Sequence, residues 1–168
     1  MKRARAGKVF VAIVALALAG CASISEYNPF VSMSDYRSVA IESFEGPGSS
    51  GGVFAERLGR AFADAGIDRR VAGLAYSGKA LLVKGSVVVY DRGNAAERLR
   101  FGRNIGNARF AAQVIVVDLE TGDPIASVLV RESYDGALDG RRIVHQDVEA
   151  LAERAARRFV EELLGELP

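Results

Sequence analysis

Chemistry in this chain is concentrated first in the loop "GPGSSGG" at 46–52. Gly46, Gly48 and Gly51 have the G-x-G-x-x-G spacing that lets backbone amides approach the pyrophosphate of a dinucleotide. Gly48, Ser50 and Gly52 have the G-x-S-x-G spacing of the strained turn that exposes a hydrolase's nucleophilic serine. The only histidine, His145, is the one available base for Ser50, with Asp118 or Asp135 to orient it. Asp118, Glu120 and Asp123 form a carboxylate cluster, but their spacing is not that of a calcium loop, and a tight turn accounts for them. Five arginines, Arg92, Arg98, Arg100, Arg103 and Arg109, surround Phe101 and Ile105. Guanidinium groups so clustered suit phosphate or carboxylate recognition, with Arg98, Arg100 and Arg103 as the candidate contacts. The single cysteine, Cys21, cannot form an internal disulfide, and with one His and one Cys no zinc set can be assembled.

The elements around the glycine loop decide between its two patterns. Val39 to Phe44 reads as a strand, and the loop leads into a helix with Phe54, Leu58, Ala61, Phe62 and Ala65 on one stripe. Ser50 is the expected N-cap and Gly66 the residue that closes the helix in a left-handed conformation. A brief strand is expected at Ile67 to Ala72. Dinucleotide binding needs an acid at the end of that second strand, and Asp68 stands at its start. A second crossover helix is also missing, because the centre of the chain is strand-rich. Ala80 to Tyr90, Ala108 to Leu119 and Ile125 to Tyr134 are rich in Val, Ile, Leu and Tyr, with "ETGD" at 120–123 as a hairpin turn. Gln146 to Leu164 closes the chain as an amphipathic helix with Val148, Leu151, Ala152, Ala155, Phe159 and Leu163 on one face.

The expected fold is therefore of α/β (α+β) type, in the order β-α-β-β-β-β-α. A mostly antiparallel mixed sheet of four to five strands carries two amphipathic helices on one face. In that setting the glycine loop is a connector. No nucleotide, metal or other cofactor is expected, and the flexible approach to Ser50 argues against an esterase.

The amino terminus assigns the compartment. Lys2, Arg3, Arg5 and Lys8 precede an unbroken apolar run from Val9 to Ala19. A helix of that run is about 17 Å long, short of a ~30 Å hydrocarbon core, so it reads as an export signal and not as a span. The run ends in "LAGC", Leu18 to Cys21, which resembles the lipobox of bacterial lipoproteins. That resemblance implies cleavage before Cys21 and acylation of its sulfur and new amine. Residues 1–20 are then a signal peptide, 21–36 a lipidated tether and 37–165 a single periplasmic domain. Ala22 is not the Asp that retains enteric-type lipoproteins at the inner membrane, so anchoring to the outer membrane, with the domain facing the periplasm, is expected. The whole chain has 22 basic and 21 acidic residues; without the leader's four bases, 18 face 21 acids, a net of −3. Nucleic acid is thus an unsuitable partner.

Further along, "KGSVVVYDRG" (Lys84 to Gly93) and "RFGRNIGNARFAAQVIVVDLETGDPI" (Arg100 to Ile125), with the lipobox and the terminal helix, resemble a family of small bacterial lipoproteins of unknown function. More remotely, the order of elements is similar to the amino-terminal domain of TolB, the curli secretion lipoprotein and the lipoprotein activators of penicillin-binding proteins. The resemblance spans Arg37 to Leu164 and implies a domain that works by binding in the cell envelope, with no catalytic residues to carry over. Its partner would be an envelope protein or an anionic envelope polymer such as lipid A or peptidoglycan. The alternatives are an envelope hydrolase using Ser50 and His145, and a subunit of a secretion or assembly complex.

Overall fold

The computed structural model describes residues 23–28, 31–70, 78–101, 105–134 and 146–165. Its strands are β1 (Ser23–Tyr27), β2 (Tyr36–Ile41), β3 (Asp68–Arg69), β4 (Lys79–Asp91), β5 (Arg109–Asp118) and β6 (Pro124–Ser133). Its helices are α1 (Ser50–Asp64), α2 (Ala95–Phe101) and α3 (Val148–Gly165), with a single 3-10 turn at Met33–Asp35. The strands form one sheet in the order β1-β6-β5-β4-β2-β3. β4, β5 and β6 are the expected antiparallel meander, Val83 opposite Val116 and Val114 opposite Val128. β2 runs parallel to both β4 and β3. The sheet is thus mixed and mostly antiparallel, as the sequence implies, with one short parallel β-α-β unit at its edge.

Two elements depart from expectation. The segment read as a tether contributes β1, which pairs antiparallel with β6. Met33 and Tyr36 are buried in the core, so the fold begins near residue 23 and not at 37. An edge strand needs only backbone pairing on one side, and its side chains need not show a hydrophobic pattern. The second is α2, a short helix inside the arginine-rich stretch read as a loop. β2 also begins earlier than expected, at Tyr36, and ends before Phe44.

Both amphipathic helices lie on one face. In α1, Phe54, Leu58, Ala61 and Phe62 are buried, while Ala65 is the exposed C-cap residue. Gly66 adopts the expected left-handed conformation, φ 80°. All six expected apolar positions of α3 are buried, with Ala156 and Val160 added. Opposite them the sheet supplies Val39, Leu81, Val83, Phe110, Ala112, Val114, Val116, Val128 and Val130. Phe54 sits edge-on to Phe44 at 5.3 Å and tilted on Phe110 at 4.9 Å, and Phe62 meets Phe159 of α3 at 6.3 Å. Such aromatic pairs add about 0.5–1.5 kcal/mol beyond the area they bury. Arg57 of α1 lies 3.8 Å from Glu149 and 3.5 Å from Glu153 of α3, bridging the exposed rim of the helix pair.

The glycine loop has a steric explanation in this packing. A Cβ on Gly51 would overlap the Phe44 carbonyl oxygen, so only glycine lets α1 start against the segment that follows β2. Gly52, one residue on, faces open space. Gly51→Ala should therefore lower unfolding stability by about 2–3 kcal/mol. Gly52→Ala should be neutral or stabilise by up to about 1 kcal/mol. Urea melts of the two variants check the difference.

Candidate functional site

Ser50 is the first residue of α1, and Ser49, not Ser50, occupies the N-cap position, without a side-chain cap bond. The Ser50 residue is 0% exposed, and its Oγ has no hydrogen-bond partner. It lies beside Gly46, where an added Cβ would be 2.6 Å from that oxygen. A nucleophile elbow does the reverse: it lifts the hydroxyl to the surface toward a base. His145 and Asp135 lie outside the described residues. For the dinucleotide pattern, the parallel unit β2-α1-β3 does exist, but β3 spans two exposed residues, and Asp68 opens it instead of closing it. The first amide of α1 is already used, Ser50 N–H donating to the Pro47 carbonyl at 3.1 Å.

The carboxylate cluster is a folding device. Asp118 Oδ1 accepts the amides of Glu120 (2.8 Å) and Thr121 (3.1 Å), and Oδ2 accepts the Tyr36 hydroxyl at 2.8 Å. Burial pushes the Asp118 carboxyl up, but the Thr121 amide, the Tyr36 hydroxyl and the Glu120 amide outweigh it and hold it below its ordinary value. Burial and the same Asp118 contact drive the Tyr36 hydroxyl well above its ordinary value. The pair ties β2 to the β5–β6 turn. Among the described residues no group of His, Cys, Asp and Glu is arranged to hold a metal ion.

The arginine-rich connection between β4 and β5 is where surface chemistry gathers. Asn94 caps α2, its Oδ1 accepting the Ala96 amide at 3.0 Å and the Glu97 amide at 3.3 Å. The connection closes on itself at a neck, where Asn94 N–H donates to the Gly106 carbonyl at 2.8 Å. Gly93 and Gly106 both have φ 68°, and side chains there would meet Gly106 O and Asn94 O respectively. The neck is fastened to the start of α3: Asn107 Nδ2 donates to the Tyr134 carbonyl at 3.2 Å, and Gln146 bridges the Asn107 side chain (3.1 Å) and the Ala108 amide (2.7 Å).

This architecture divides the three arginines expected to act together. Arg98 is 4% exposed, and its Nη1 donates to the Gly106 carbonyl inside the neck, so it holds the connection closed and is not offered to a partner. Arg100 is exposed, its guanidinium 5.1 Å over the ring of Phe101. Arg103 lies outside the described residues. What the sequence reading missed is the apolar part of this surface: Leu99, Phe101 and Ile105 are 67%, 55% and 47% exposed. The signal for α2 was available in "NAAE" at 94–97, an Asn followed three residues later by Glu, as in a capping box.

No family model and no curated protein sequence matches this chain. Among solved structures, a PelC dodecamer from Paraburkholderia phytofirmans is similar with a TM-score of 0.52 at 13% identity, over 83% of this chain and 96% of that one. A single-substitution variant of the same PelC dodecamer gives 0.54 at 12%, over 83% and 95%. A candidate lipoprotein from Caulobacter crescentus gives 0.46 at 18%, over 80% and 93%. At these identities the PelC likeness shows a shared fold.

Two outcomes are expected from the side-chain roles. Arg98→Ala should lower stability by about 1–3 kcal/mol, since a buried donor is lost, whereas Arg100→Ala should stay within about 0.5 kcal/mol. Thermal melts compare them. Asp118 has a lower pKa folded than unfolded, so its ionised form stabilises the fold above the unfolded value of about 3.9. That contribution fades as pH falls through the folded value. Asp118→Asn should be less stable than wild type at pH 7 and lose less on acidification. Urea midpoints measured from pH 7 to pH 2 read both effects.

Proposed function

We propose that this chain is a lipid-anchored lipoprotein of the bacterial envelope, held at the outer membrane by acyl chains on Cys21. Its periplasmic domain acts as a non-enzymatic binding or assembly module. The observation that carries this reading is the order of basic residues, short apolar run and "LAGC" ending at the only cysteine. The fold is compatible with it, since the PelC structures share it across most of both chains. The burial of Ser50 Oγ supports the non-enzymatic part, because the one serine in a nucleophile-like motif faces the core. A partner would meet Arg100 and, three residues along the sequence, Arg103, or the sheet face that carries no helix among the described residues.

A second reading, a subunit of an assembly complex, is favoured by one specific feature. Among the described residues no helix packs on the second face of the sheet. There Lys84, Gln113, Ile115, Leu129 and Arg131 are only partly buried or exposed. An open mixed polar and apolar face of this kind suits a second protein surface. The PelC of the solved structures is a dodecamer, and self-association of this chain would follow the same principle.

Labelled palmitate tests the anchor. It should enter the wild-type protein and not Cys21→Ala, and the wild type should stay with membranes through a high-salt wash because two or more buried chains hold a protein stably. A soluble, unlabelled wild type would end this reading. Its mass in mild detergent separates a single module from a ring-forming subunit.

A further inference from the structure

The register of β1 fixes which end of the domain the amino terminus leaves from. Ser23 lies opposite Leu129 and Tyr27 opposite Ala126, so from Tyr27 back to Ser23 the chain climbs β6 toward Ser133. Ser133 pairs with Arg109, and Arg109 with Asp91, so this is the end of the sheet from which the α2 connection emerges. The turn at 119–123 occupies the opposite end. Cys21 precedes Ser23 by two residues, a reach of no more than about 7 Å.

At the same end lie all five of the large apolar side chains exposed among the described residues: Val88 and Val89 near the end of β4, and Leu99, Phe101 and Ile105 on the connection. Apolar rings beside guanidinium groups suit the headgroup layer of a bilayer, where the ring enters the acyl boundary and the cation stays among phosphates. Arg100 stacks on Phe101 in that arrangement, and Arg92 and Arg109 are exposed at the base of the connection. The acids at this end are Glu97; Asp91, whose Oδ1 is bonded to the Gly93 amide; Glu132, paired with Arg154 and Arg158; and Asp147, whose Oδ1 accepts the Glu149 amide. The neck fastens Asn94 and Arg98 to the Gly106 carbonyl at the base of the connection.

We propose that the tip formed by Leu99, Arg100, Phe101 and Ile105 is a second membrane contact, seated in the leaflet that receives the acyl chains of Cys21. This rests on the lipid-anchor reading. The anchor and the tip together hold the domain upright, with the α2 end at the phospholipid surface and the β5–β6 turn pointing away.

The chain contains no tryptophan, so single substitutions give clean reporters. The full-length acylated protein carrying Phe101→Trp, Leu99→Trp or Thr121→Trp is reconstituted into phosphatidylethanolamine–phosphatidylglycerol vesicles, with and without brominated acyl chains. Tryptophan at 101 and at 99 should shift to the blue and be quenched by the brominated lipid, while tryptophan at 121 should do neither. Water-like, unquenched emission at both 99 and 101 in protein that floats with vesicles overturns the proposal and leaves the anchor reading intact. Equal quenching at 121 also overturns it. A blue shift that rises with protein concentration in detergent alone, without quenching in vesicles, assigns the tip to a second copy and overturns the membrane contact. Wild type that fails to float overturns the anchor reading and this one with it.

Discussion

The bare Cα of Gly51 packs against the Phe44 carbonyl, and that close contact sets how near α1 lies to the sheet. With α1 seated there, Phe54 drops between Phe44 and Phe110, and Phe62 reaches Phe159. That second contact places α3 over β5 and β6, with Arg158 reaching Glu132 of β6 at 2.8 Å. The start of α3 in turn holds Gln146 against the neck of the α2 connection. Interiors pack at crystal-like density, so a shift of α1 would be felt at each of these points. A loop that looks like a cofactor cradle is therefore the condition for closing the core.

The same logic separates shape from chemistry in the rest of the chain. Glycine at 46, 48 and 51 could serve a pyrophosphate or a close helix approach, and spacing alone does not choose. The carbonyl behind Gly51 does. Asp118 resembles a catalytic acid in residue type, yet its oxygens are occupied by two turn amides and the Tyr36 hydroxyl. Arg98 resembles a binding residue and serves as an internal strut.

The helices and the meander were legible because their periods of 3.6 and 2 run over long, strongly apolar segments. α3 matches at each of its expected core positions. β1 was not legible: "SISEY" is short, and its pairing with β6 joins residues about a hundred positions apart. The reversal of Arg98 was hidden for a related reason. It depends on Gly93 and Gly106 meeting in space, which is a tertiary event with no local hydrophobic pattern. Exposure of Leu99 and Phe101 was equally hidden, since both stand on the same short helix whose Arg98 is buried.

In the proposed account, function rests on the amino terminus joined to this scaffold: a domain with a packed core, one sheet face that carries no helix among the described residues, and apolar and cationic side chains at the end of the sheet where the chain enters. The most direct test of that account is the intact mass of the protein extracted from the outer-membrane fraction of its cells. The expected result is a chain that begins at Cys21 and carries a diacylglyceryl group with a further acyl chain. A mass matching an unacylated chain, whether precursor or cut elsewhere, would contradict it.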